Sequence, residues 1–188
     1  MSASFNRNAA AAGALALCLV WTSLHSPAHA HPFSPEVNAD NPSQSWCYGA
    51  STNGHGKVRD AAAYGMNNLD NQTDMSESGP VPCATDTDVQ FAVGNADGNR
   101  GLWECLDHSG TNPIICHKAR VTFNPAIIET DGGPYEHNLK KTACHEVGHT
   151  TGEDHHAAPY GDCLVSGAVN SGHLTYNYDH YIWINTTY

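Results

Sequence analysis

The chain is poor in positive charge. It carries 8 Lys and Arg against 19 Asp and Glu, a formal net charge of −11. That balance argues against a nucleic-acid partner, which needs clustered cations to neutralise phosphates. It suits an exported protein that must stay soluble, with some steering of basic substrates as a lesser effect. Methionine is scarce: Met1, Met66 and Met75 are the whole complement. There is no Cys-x-x-Cys pair, so thiolate-ligated structural zinc is not indicated. The one mainly apolar run, Ala9 to Trp21, is too short to anchor the chain across a bilayer. No internal repeat or long low-complexity segment occurs.

The chain does contain an export signal. Arg7 gives a short basic region, Ala9 to Trp21 an apolar core, and Ala28-His29-Ala30 a small-residue cleavage site. Residues 1–30 are therefore expected to be a signal peptide and the protein to be secreted and extracellular. Residues 31–45 are rich in Pro and Asn with little periodicity, and are expected to form an extended arm or a short propiece. Residues 46–188 remain as one compact domain, long enough for a real core. Cys18 lies in the leader and six cysteines follow it: Cys47, Cys83, Cys105, Cys116, Cys144 and Cys163. An even number in a secreted chain points to three disulfides.

Chemistry concentrates between His145 and His155, which read H-E-x-x-H-x-x-G-x-x-H. Histidines at i and i+4 share one helix face and can hold one ion between them. Glu146, beside the first histidine, is placed to reach a water at that ion. From His149 to His155 an unbroken helix would turn by roughly 240° and rise ~9 Å, sending His155 away from the ion. The helix must end between them. Gly152 is the residue that can enter the left-handed region and bend the chain back. In a chain with 13 histidines the five-residue H-E-x-x-H alone carries moderate weight. The glycine and third histidine at fixed offsets make the pattern specific. Three neutral imidazoles with a fourth position open describe catalytic rather than structural zinc. The expected reaction is peptide hydrolysis, with Glu146 taking the proton of the attacking water.

His145 to His156, HEVGHTTGEDHH, resembles the zinc signature of the metzincin clan of metallopeptidases, and most nearly that of its small secreted matrixin-like and snapalysin-like members. The resemblance implies that His145, His149 and His155 are the zinc ligands and Glu146 the general base. Two departures are visible. Snapalysin-like enzymes use Asp as third ligand where this chain has His155. Metzincins place a methionine in a turn beneath the zinc, whereas here the equivalent turn, Asp162 to Gly167, puts Val165 at that position as a smaller apolar floor.

Around the motif, Lys57 to Leu69 has helical spacing, Asp88 to Val93 alternates as a strand, and Leu102 to Leu106 and Ala119 to Phe123 read as two further strands. The zinc helix is expected over Tyr135 to about Thr151, and a packing helix over Tyr178 to Asn185. Asn95 to Gly101 is a loop whose oxygens could take calcium, although a plain turn explains it as well. Six cysteines allow fifteen pairings. The favoured set is Cys105–Cys116 closing a local loop, Cys144–Cys163 tying the zinc helix to the turn below it, and Cys47–Cys83 by remainder. His156, His173 and His180 are expected at the surface or in the core rather than on the ion.

The resemblance implies an α+β fold of metzincin type. A twisted mixed sheet would be backed by one helix and faced by the active-site helix, with an irregular C-terminal half ending in a helix. Sheet and zinc helix would form the walls of a cleft. By the same resemblance, one edge strand would bind an extended protein or peptide substrate along its main chain, giving broad specificity. No membrane association and no oligomer are signalled, so a monomer is expected. Two other readings remain: an inactive relative that holds metal as a secreted binding or toxin component, and a disulfide-stabilised binding module with incidental histidines.

Overall fold

A computed structural model describes residues 37–111, 113–155 and 161–188. The expected signal peptide, His156 and Pro159 lie outside the described residues. The fold is mixed α/β with a mostly parallel sheet. Strands β1 (Val37–Ala39), β2 (Ser43–Tyr48), β3 (Ser76–Ser78), β4 (Val89–Val93), β5 (Gly101–Ser109) and β6 (Ile114–Phe123) form one sheet. Its order is β1-β6-β4-β2-β3, all parallel, and β5 adds antiparallel to the other side of β6. Among the described residues four α-helices complete it: α1 (Gly56–Gln72), α2 (Pro125–Thr130), α3 (Tyr135–Thr150) and α4 (Tyr178–Thr187).

Helix α1 is longer than expected at both ends but uses the expected face. Val58, Ala61, Ala62, Met66 and Leu69 are all buried. They join Trp46, Val89, Phe91, Val121 and Phe123 from the sheet in one core, together with Leu139, Ala143, Cys144 and Val147 from α3. The alternation of Ala119, Val121 and Phe123 along β6 is the period-2 pattern of a strand with one face packed. The two helices approach closely because α1 carries a glycine at the crossing. A Cβ on Gly65 would lie 3.0 Å from the carbonyl carbon and oxygen of Ala143.

Of the segment expected as an arm or propiece, residues 37–45 are described, and strand pairing runs through them: β1 pairs with Ile114–Cys116 of β6, and β2 begins at Ser43. The two strands expected around the Cys105–Cys116 loop are also longer, forming a hairpin from Gly101 to Phe123. Beyond α3 the described residues are irregular as far as α4. Among the described residues three disulfides form: Cys47–Cys83, Cys105–Cys116 and Cys144–Cys163.

A branched side chain at residue 65 has no space against Ala143, two residues before His145. Gly65→Val is expected to destabilise the fold by ~1–3 kcal/mol through overpacking, measured by urea unfolding. A change below about 0.5 kcal/mol would show that the crossing can open freely.

Candidate metal centre

Helix α3 places His145 and His149 one turn apart and Glu146 between them in sequence. The helix ends as the glycine spacing requires. Gly152 has φ +90°, its N–H reaches the carbonyl of His149 at 3.2 Å, and the Glu153 N–H reaches that of Gly148 at 3.3 Å. These are the paired bonds of a Schellman ending. Glycine is required here twice over, since a Cβ would also lie 2.7 Å from the Val37 carbonyl oxygen of β1. The chain then turns back and delivers His155.

The three rings converge. His145 Nε2 lies 2.8 Å from His155 Nε2, and His149 Nε2 lies 3.2 Å from it. Each pair of ring centroids is 4.7 Å apart. Tetrahedral zinc with Zn–N bonds of ~2.0–2.1 Å needs its nitrogens about 3.3 Å apart, so the donor set fits with a slight expansion. The opposite ring nitrogens are committed elsewhere. His145 Nδ1 meets the Cys163 carbonyl at 2.9 Å and His149 Nδ1 meets the Glu153 carbonyl at 2.7 Å. A carbonyl only accepts, so both rings carry their proton on Nδ1 and present a lone pair at Nε2. Burial lowers all three histidine pKa values, that of His149 to about 4. The imidazoles are therefore neutral, as metal ligation requires. Among the described residues this is the group of three or more His, Cys, Asp or Glu that could hold a metal ion. The loop from Asn95 to Gly101, weighed above for calcium, folds around a short 3-10 helix, Ala96–Gly98, and joins no such group.

Glu146 is buried, and desolvation raises its pKa to about 8 in the metal-free protein, opposed by nearby Lys141 and the Trp103 backbone N–H. A divalent cation held by the neighbouring imidazoles would bring it down again. Two features of this carboxylate were not legible in the sequence. Trp103 in β5 donates its N–H to it. Gly101, read as part of a loop, starts β5, and a Cβ there would lie 2.7 Å from both Glu146 Cγ and Thr142 Cγ2. A glycine is what lets the strand come this close to the helix.

The turn that follows the motif packs against α3. Val165 is half-buried, and its carbonyl accepts from buried Lys141 Nζ. Leu164 is fully buried, as are Asp162 and Cys163 before it, and is placed so that a Cβ on Gly148 would lie 2.8 Å from its Cδ2. The Cys144–Cys163 disulfide joins this turn to α3. Tyr176 donates from its hydroxyl to the Cys144 carbonyl at 3.1 Å. His173 sits in the irregular segment with Nδ1 near the Ser171 carbonyl, and His180 is buried in α4; neither joins the three-histidine group. No protein-family model matches the chain, and no curated protein matches it.

A carboxyl whose folded pKa is raised contributes stability at low pH and loses it as pH climbs through the folded value. With Glu146 raised from 4.5 to about 8, metal-free wild type should lose stability relative to Glu146→Gln between those limits. The expected divergence is at least ~2 kcal/mol, read by urea unfolding in chelator from pH 5 to 8.5. A pH-independent difference would mean that the carboxyl is not desolvated.

Proposed function

We propose that this protein is a secreted zinc-dependent endopeptidase of metzincin type, with His145, His149 and His155 as metal ligands and Glu146 as general base. The observation that carries this reading is the convergence of three neutral imidazole Nε2 atoms next to a buried glutamate on the helix that bears two of them. When bound, zinc supplies a Lewis acid that polarises a peptide carbonyl and acidifies water.

The chain's own residues do the rest. Glu146 accepts the proton of the attacking water and returns it to the leaving amine. Trp103 N–H holds the carboxylate on the β5 side. The Cys163 and Glu153 carbonyls keep the ligand rings from turning. Strand β5 pairs with β6 along one side only among the described residues and lies against α3. Its outer edge can align an extended peptide by main-chain bonds, which supports broad rather than sequence-strict cleavage. The signature His145 to His155 supports the clan assignment, and the cysteine pairs support an oxidising destination. Among the described residues no helix is long and apolar enough to cross a membrane.

An inactive, metal-holding binding component would keep the histidines but has no use for a desolvated glutamate. One zinc per chain is expected in both wild type and Glu146→Gln, by metal analysis. Casein cleavage is expected to fall by on the order of 10³-fold in the variant. Equal activity would remove Glu146 as base, and absence of zinc from both would remove the metal reading. Gly101→Ala should keep its zinc and lose about tenfold or more in kcat because the new Cβ displaces the carboxylate. Unchanged kcat would show that β5 does not fix the base.

A further inference from the structure

The carbonyls that orient His149 and His145 belong to two different irregular segments. Glu153 follows the end of α3, and Cys163 lies in the turn beneath it. Neither Glu153 nor Cys163 lies within a helix or a strand. The side chains next to those carbonyls, Glu153 and Asp162, are 8% and 1% exposed, and one imidazole stands between them. His180 Nδ1 lies 2.5 Å from Glu153 Oε2, and its Nε2 lies 3.6 Å from Asp162 Oδ2.

We propose that His180 is a positioning residue for the metal centre, bridging Glu153 and Asp162 so that the two backbone acceptors of the ligand histidines stay in register. The inference rests on the reading of His145, His149 and His155 as metal ligands. Asp162 is fixed from both sides of its carboxylate. Its Oδ1 accepts the Leu164 N–H at 2.9 Å, and its Oδ2 accepts Asn177 Nδ2 at 2.7 Å. Asn177 in turn caps α4 by accepting the His180 N–H at 3.0 Å. The first turn of α4 thus grips the turn that carries the Cys163 carbonyl and, through His180, the segment that carries the Glu153 carbonyl. At the far end of α4, the Tyr188 hydroxyl donates to the Thr151 carbonyl at 3.1 Å and accepts the Ala39 N–H at 2.6 Å. Helix α4 is therefore the splint of the site, and His180 is the one of its side chains that touches both carboxylates.

The test compares zinc affinity by chelator competition in the full chain, wild type beside His180→Gln and His180→Asn, with near-UV circular dichroism confirming that each metal-free protein is folded. Cobalt substitution gives a second readout from the visible absorption of the bound ion. His180→Gln loses the nitrogen facing Glu153 and should bind zinc about 10–100-fold more weakly, with an altered cobalt spectrum. Asn carries its amide nitrogen where Nδ1 stood, so His180→Asn should recover part of that loss. If His180→Gln does not fold, Glu153→Gln, which keeps the shape of the pair, is read in the same way. Native affinity and cobalt spectrum in the folded variants, with only a lower melting temperature, would overturn the proposal and leave His180 a packing residue. A wild type that binds no zinc would remove the function reading, and this inference with it.

Discussion

Two hydrogen bonds organise this molecule: those from the Nδ1 atoms of His145 and His149 to the carbonyls of Cys163 and Glu153. A buried imidazole has two polar atoms to satisfy and only one ring orientation that satisfies a given partner. Committing Nδ1 leaves Nε2 as the lone pair turned toward His155. Much of the rest can be understood as delivering those two carbonyls. The Gly152 bend supplies one, the Cys144–Cys163 disulfide anchors the other, and α4 closes over both.

What could be read from the sequence was what is local. The i, i+4 histidines, the length of α3 and the left-handed glycine follow from helical geometry over a few residues. The buried face of α1 follows from its 3.6-residue period. The cysteine pairs followed from proximity along the chain and from elimination, and the structure has the same three.

The rest depends on partners far along the chain. Strand β1 is three residues long, too short for alternation to register, and exists because β6 lies beside it some 75 positions later. Gly101 looks like any loop glycine until α3 is placed against it. The carbonyls of Glu153 and Cys163 leave no trace in a pattern of side chains, because every residue has one. The turn after the motif shows a finer limit: Asp162, Cys163 and Leu164 are buried while Val165 is half-buried, and burial within a turn follows no period that a sequence displays.

The bond between Cys144 and Cys163 joins the residue before the first candidate ligand to the residue whose carbonyl orients that ligand. The orientation of His145 is thus coupled to the oxidation state of two cysteines. Reduction would remove the covalent tie between helix and turn and leave the acceptor carbonyl held by hydrogen bonds, those of Asp162 among them.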